Sequence, residues 1–371
     1  MDKIKLLLCS IGDPNNPKTW SGTPYNLYNA LKEKCEIESL NSDFIQNHFL
    51  KLLIKLVSIL NYGFSRGLER GFFFRSYNAL IMYLRLKTKK SNHILHTGTL
   101  DAPFISSKGK KHYLFCDSTW NIYTKYSTDI NKYSKRLINV AEKLEKKCYL
   151  QFSHIFSISE HVKNNLIEHY KIEENKITVV GTGLGVIKPY FGKKDYNNGK
   201  ILFAAKGRFK EKGGYLVLEA FKIAQRKMQN IHLTIVGKND YKDLNIENTG
   251  ITALGFIPVS DLQEIFNSHS LFVMPAQYEP WGLVYLEALA CKMPIIGLNR
   301  NSFPEISGNG KYGFVLQDND PDELAKIFIY AFSNPDILEE KGINGQKFCL
   351  DNFTWEKTAN KIIETIKEKY I

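Results

Sequence analysis

The stretch that most constrains this chain is Phe272–Gly297, FVMPAQYEPWGLVYLEALACKMPIIG. It reads as a buried strand (Leu271–Met274), a loop through Tyr278, Glu279 and Pro280, a helix over about Gly282–Cys291, and a second strand after Pro294. The helix is apolar on nearly every side, which places it inside a large core. Glu287 is set into that helix and Glu279 stands eight residues earlier at its mouth. Carboxylates are rarely buried without a partner, and no basic residue lies between Glu279 and Cys291. The partner is elsewhere in the fold or it is a ligand.

At 371 residues the chain implies two domains, because single cores stop growing below that size. Strand–helix alternation runs almost throughout and implies an α/β fold with parallel sheets. In the first half the strands are expected at Lys3–Ser10, His93–His96, His112–Cys116, Ile155–Ile158 and Lys176–Val180. Helices are expected at Thr23–Lys34, Ile45–Leu60, Asn131–Lys147 and Glu160–Tyr170. The polar run Phe191–Gly199 reads as a linker, after which the alternation restarts at Ile201–Ala205. The expected division is therefore a first domain over 1–190, the linker over 191–199, a second domain over 200–352, and a last helical segment over 353–371.

Six scattered cysteines without metal-type spacing favour a reducing cytoplasm. The opening MDKIKLLLCSI reads as a first strand and not as a secretory signal. Nowhere are there 18 uninterrupted apolar residues, so no membrane-spanning helix is expected. Charge is unevenly placed: residues 1–200 hold 31 Lys and Arg against 17 Asp and Glu, whereas residues 201–371 hold 19 against 21. An anionic partner for the first half follows from that surplus.

Two strand-to-helix junctions carry phosphate-type chemistry. In Ser10–Thr23, Gly22 sits where the first helix begins, so free backbone N–H groups face the ends of the strands. An ordinary capped connection gives the same pattern, and the loop lacks the GxGxxG spacing of a nicotinamide site. In Ala205–Gly214, AKGRFKEKGG, a strand delivers Arg208 and Lys212 to the start of a helix, where two cations suit a diphosphate. A solvated basic loop is the plainer alternative. Phe256, after another strand, is placed either to stack on a planar base or to fill the core. Around Glu279, the backbone of Trp281, Gly282 and Leu283 opens the apolar helix, and a carboxylate beside it suits a sugar diol.

RFKEKGG, then GF, then YEPWGLVYLEALACKMPIIG resembles the retaining glycosyltransferases of family 4, with Glu279 and Glu287 as their Glu-x7-Glu pair. The likeness is specific over about residues 200–350 and looser before it, where WSGTPYNLYNAL and FSISEHVKNNL fit the pattern. The resemblance implies a GT-B fold: two Rossmann-like α/β domains facing a cleft, with the final helix crossing back to the first domain. It implies a nucleotide-diphosphate sugar, UDP- or GDP-linked, bound by the second domain, and a saccharide or lipid-linked acceptor bound by the first. Arg208 and Lys212 would hold the diphosphate, Glu287 the ribose hydroxyls and Glu279 the hydroxyls of the transferred hexose. Gly22 would leave room for phosphate, and no metal or other cofactor is expected. On the acceptor side Asp117, after His112–Cys116, is the first candidate, a helix cap being its alternative; His96 is the second.

Surface polysaccharide or lipopolysaccharide synthesis is the process that fits. Other readings are an epimerase or phosphorylase of the same fold, the latter disfavoured by the lack of an obvious lysine-bound cofactor site, or a non-catalytic membrane- or polyanion-binding protein. Phe49–Arg75 bears on the last. Within residues 51–111 there are 12 basic and 2 acidic residues, and Lys51, Lys55, Arg66, Arg70 and Arg75 are expected to face an anionic membrane or the acceptor. His48, Lys51, Lys55 and Ser58 read as a polar stripe on an otherwise apolar helix, which a core helix with snorkelling lysines also explains. The basic patch comes with no RNA- or DNA-binding motif, so nucleic acid is not an expected partner. The reading is a cytoplasmic protein with a peripheral place at the inner face of a membrane.

Overall fold

The computed structural model describes residues 4–43, 48–102, 109–238 and 249–371. Two compact units form, one from residues 1–183 with 355–371 and the other from residues 184–354.

In the first unit the chain runs β1 (Lys5–Ser10), α1 (Thr23–Lys32), β2 (Glu36–Asn41), α2 (His48–Tyr62), α3 (Phe72–Leu86), β3 (His93–His96) and β4 (Lys111–Cys116). It continues through α4 (Trp120–Tyr126), α5 (Lys135–Gln151), β5 (His154–Ser157), α6 (Glu160–Glu168) and β6 (Ile177–Val179). All pairings are parallel, in the order β2-β1-β3-β4-β5-β6. The central strands are buried on both faces, as continuous runs such as LLLCS and YLFC require. Lys3 and residues 45–47, included in the expected first strand and second helix, lie outside the described residues.

The second unit runs β7 (Lys200–Ala205), α7 (Gly214–Gln225), β8 (His232–Gly237), β9 (Ile251–Gly255), α8 (Val259–Ser268), β10 (Leu271–Val273), α9 (Leu283–Ala290) and β11 (Ile295–Leu298). Then come α10 (Phe303–Ile306), β12 (Gly313–Leu316), α11 (Pro321–Ser333) and α12 (Pro335–Asn352). Its sheet is also parallel, in the order β12-β11-β10-β7-β8-β9. The last helix, α13 (Trp355–Tyr370), belongs to the first unit and packs on α1.

Residues 191–199, expected as the linker, lie within the second unit. Lys194 is buried there, and its ammonium donates to the carbonyls of Phe266 (2.9 Å), Asn267 (2.9 Å) and His269 (2.6 Å). It satisfies the open C-terminal end of α8, a place where a cation is favoured. Tyr196 donates to the carbonyl of Lys292, and the amide of Tyr190 to that of Ala290. A stretch that is polar in sequence is thus fastened to the unit by its own polar groups. The change of unit falls at Gly183–Leu184.

Candidate functional site

In an open parallel sheet, ligands bind beyond the carboxyl ends of the strands where the strand order reverses. In the second unit that point lies between β7 and β10, which pair directly with Leu271 opposite Ile201. Their following loops are neighbours for that reason. Gly213 has φ +82 and caps α7, and a Cβ there would stand 2.4 Å from the carbonyl oxygen of Pro275. A side chain at this position would hold the two loops apart. The amide of Gln277 donates to the carbonyl of Glu211 at 2.8 Å and joins them.

Across this joint the Lys212 ammonium donates to Oε2 of Glu279 at 2.7 Å and to the carbonyl of Tyr278 at 3.0 Å. The Lys212 side chain is 6% exposed and that of Glu279 22%, so the pair is only partly screened by solvent. Arg208 is itself in the left-handed region at φ +57, an uncommon conformation for a side-chain-bearing residue. Its Nη1 donates to Oε1 of the buried Glu211 at 2.7 Å, while half of the guanidinium side chain stays exposed. Two cations, each restrained by a carboxylate, therefore stand side by side at the switch point.

Glu287 lies on the buried part of α9. Its Oε1 accepts from the amides of Val186 (2.7 Å) and Ile187 (3.1 Å), so its partner is backbone from the start of the same unit. The approach requires Gly185, where a Cβ would stand 2.4 Å from that oxygen. Burial pushes the Glu287 carboxyl up to about 7, against the opposing pull of the two amides and of Lys206. Trp281 is buried against Phe353, with ring centroids 5.5 Å apart. Gly282, at φ +84, turns the chain into α9 so that Leu283 begins the helix. Phe256 is exposed and follows β9, an edge strand two places from β7.

The sequence contains two overlapping Asp-x-Asp triplets, Asp318-Asn319-Asp320 and Asp320-Pro321-Asp322. The Asp320 side chain caps α11 by accepting from the amide of Asp322, and Asn319 accepts from Gln277. Among the described residues no group of three or more His, Cys, Asp and Glu side chains is placed to hold a metal ion.

In the first unit the switch point lies between β1 and β3. Trp20, Ser21 and Gly22 have successive positive φ values of 45°, 56° and 88°, and Gly22 caps α1. Trp20 reaches Gly98 beyond β3, where a Cβ would meet its ring at 3.4 Å. Asp117 is exposed at the carboxyl end of β4, and the cap of α4 is Thr119, which accepts from the amide of Ile122. His96 is fully buried, with Nε2 3.0 Å from Nδ1 of His112. Its Nδ1 lies 3.8 Å from the buried Asp101 carboxylate.

The basic segment divides sharply. Lys51 and Lys55 are exposed on α2. Arg66 pairs with Asp129, and the Arg70 guanidinium lies 4.5 Å over the ring of Trp120. Arg75 is buried, donating to the carbonyl of Thr99 (2.8 Å) and to Cys148 Sγ (2.9 Å), so it is no part of a membrane-facing surface. Ser58, read as part of the polar stripe, is buried and donates to the carbonyl of Ile54. No helix among the described residues is long and apolar enough to cross a membrane.

Residues 187–348 match the family of glycosyl transferases group 1. The match spans nearly all of the second unit. The chain is 27% identical over 253 residues to the capsular polysaccharide biosynthesis glycosyltransferase CapM of Staphylococcus aureus, covering 61% of this chain and 65% of that one. Other curated relatives are spanned over 30% and 59% of their length. Among solved structures, sucrose-phosphate synthase from Thermosynechococcus elongatus is similar with a TM-score of 0.69 and 15% identity, over 99% of both chains. Anabaena HepE in complex with UDP-glucose has a TM-score of 0.66 and 14% identity, over 98% of this chain and 100% of that one. The fold is GT-B.

The second unit holds two side chains at its switch point that sequence reasoning passed over. Glu211 was hidden in a run that reads as basic. Its signal is the spacing, since it lies three residues after Arg208 and next to Lys212. Gln277 accepts from Arg300 at 2.8 Å beside the β10 loop, and nothing in the local sequence marks it.

Proposed function

We propose that this chain is a retaining glycosyltransferase, moving a hexose from a UDP- or GDP-linked sugar to a saccharide or lipid-linked glycan in surface polysaccharide or lipopolysaccharide synthesis. The observation that carries the reading is the convergence of Arg208, Lys212 and Glu279 at the β7–β10 switch point of the second unit, which the group 1 family matches. The names of CapM, a capsular polysaccharide glycosyltransferase, and of the HepE complex with UDP-glucose support the process and the donor class.

The chemistry follows from charge. As the glycosidic bond to phosphate breaks, the sugar becomes oxocarbenium-like and negative charge builds on the departing diphosphate. Arg208, Lys212 and the first amides of α9 stabilise that charge, the two cations exchanging part of their contact with Glu211 and Glu279 for phosphate oxygens. Glu279, relieved of full pairing with Lys212, accepts from hydroxyls of the hexose. Glu287 accepts from the ribose hydroxyls on the oxygen that its backbone bonds leave over. These carboxylates bind hydroxyls and do not act as an acid/base pair. The acceptor hydroxyl, oriented by Asp117, adds on the face from which the diphosphate leaves and gives its proton to the departing phosphate oxygen, so the stereochemistry is retained. No metal is assigned a role in this scheme. A peripheral place on an anionic membrane surface completes the reading.

Incubating the protein with a panel of UDP- and GDP-sugars, by thermal shift and by donor turnover, tests it. A cognate donor raises the melting temperature by mass action, and Arg208→Ala and Glu279→Ala each lower turnover by about 100-fold or more. Full activity in both variants would sink the assignment.

A further inference from the structure

Trp20 and Ser21 are consecutive side-chain-bearing residues in the left-handed region, at φ 45 and φ 56. Such a conformation is costly without glycine and persists only where the surrounding structure holds it. The loop is well fastened. The Thr19 hydroxyl donates to the Asp13 carbonyl at 2.8 Å, the Asn15 side chain to Ser39 Oγ at 2.9 Å, and the Gly12 amide to Asn41 Oδ1 at 3.1 Å. These bonds fix one direction for the Trp20 indole, over Gly98 beyond β3. The ring thus stands at the carboxyl ends of β1 and β3, the switch point of the first sheet. Trp20 is 41% exposed there, whereas Trp120 and Trp281 are buried and Trp355 is half-buried. The loop around it exposes Asp13, Asn15, Asn16, Lys18 and Ser21, and Asp117 is exposed at the end of β4 in the same sheet.

From this arrangement we propose that Trp20 is a stacking platform for a pyranose ring of the acceptor. The setting selects the occupant. A pyranose has a face of C–H groups and an edge of hydroxyls, so it needs one flat aromatic ring with polar groups beside it. The indole supplies a large, rigid contact that loses little freedom on binding. A bilayer or a protein partner needs a broader apolar area than a single ring set in a polar rim. The backbone strain has a use on the same account, since it holds the ring out of the core and ready for the ligand. The inference rests on the acceptor side of the reading above and deepens it: the part of the acceptor recognised at β1 and β3 is a sugar ring.

Acrylamide quenching of tryptophan fluorescence tests the proposal, because Trp20 is the most exposed of the four tryptophans. The probes are methyl glucopyranoside and methyl galactopyranoside, each to about 100 mM, well above a millimolar dissociation constant. At least one of them is expected to lower the wild-type quenching constant about twofold by covering a ring face. Saturation-transfer NMR should show that glycoside touching the protein through its C–H face, and Trp20→Ala should weaken its binding about tenfold. Trp20→Gly should bind as poorly yet keep close to the wild-type melting temperature, because glycine adopts this backbone freely. The inference is overturned if neither glycoside protects the ring, or if Trp20→Ala binds as wild type does. Protection by uridine monophosphate and not by the glycosides overturns it too, since the ring then stacks a nucleobase. A Trp20→Gly protein that melts far lower makes the indole a packing residue, with the same consequence. A nucleotide-sugar thermal shift on the same samples separates the two claims. Glycoside protection without any donor shift leaves a sugar site and sinks the transferase reading, whereas a donor shift without glycoside protection sinks this inference alone.

Discussion

Lys212 and Glu279 come from loops after two adjacent strands, 67 residues apart in sequence, and meet at 2.7 Å. Neither the pair nor its setting is local: parallel pairing of β7 with β10 brings the loops together, and Gly213 lets them touch. Lys212→Met leaves the Glu279 carboxylate half-buried beside an apolar side chain. The variant is expected to lose about 1–3 kcal/mol of stability and more than 100-fold in donor turnover. Chemical denaturation followed by turnover of the folded protein checks both. A variant that is less stable but fully active would make the pair purely structural.

Glu211 and Arg208 form the companion relationship. The guanidinium is half exposed and its backbone is left-handed, so the bond to buried Glu211 decides where the group points. Glu211→Ala frees the guanidinium to several rotamers, and turnover is expected to fall about tenfold through lost orientation. Arg208→Ala removes the charge itself and is expected to cost about 2.7–4 kcal/mol of transition-state stabilisation. Because Arg208 holds a conformation that glycine adopts freely, Arg208→Gly should be at least as stable as Arg208→Ala. Steady-state kinetics and melting curves on the three variants separate orientation, charge and backbone.

Glu287 makes the stability of the second unit depend on pH. Its folded-state carboxyl is raised to about 7 by burial, above its ordinary value of 4.5. The folded protein therefore binds more protons than the unfolded chain between those two pH values. The contribution of this group is full below about 4.5 and is lost as pH rises through about 7. Glu287→Gln keeps an oxygen for the amides of Val186 and Ile187 and carries no charge. The stability of the variant relative to wild type should rise between pH 5 and pH 8, by about 1–3 kcal/mol in all. Denaturant titrations at pH 5, 6, 7 and 8 measure the difference, and a flat difference would mean that the carboxyl titrates normally.

The fold was legible because its signals are local and repeated. The runs LLLCS, YLFC and ILFAA are apolar without alternation, which only strands covered on both faces require. Edge strand β2, EIESLN, escaped because only alternate residues are screened from solvent and its composition is polar. Arg208, Lys212 and Glu279 stand out in the sequence by type and order, whereas the pairing of Lys212 with Glu279 does not, because it depends on which strands are neighbours. Lys194 misled through composition: a cation satisfying three carbonyls at a helix end looks like any surface lysine.

Arg75 shows the same limit, and its correction is testable. In sequence it ends a basic, aromatic run, yet with Ala79, Met82 and Leu86 it follows the i, i+4, i+7, i+11 spacing of the buried face of α3. Periodicity, not charge, gave its location. Its guanidinium spans the Thr99 carbonyl and Cys148 in the core of the first unit. Arg75→Met fills similar volume but removes the guanidinium's bonds to the Thr99 carbonyl and Cys148, and is expected to destabilise the protein by about 1–3 kcal/mol. Lys51→Glu with Lys55→Glu, both on the exposed surface of α2, should change stability by about 0.5 kcal/mol or less. Denaturant unfolding of the two variants, with vesicle flotation beside it, gives opposite patterns: stability moves in the first and lipid binding in the second. If Arg75→Met instead unfolds normally and loses lipid binding, the guanidinium faces the membrane after all.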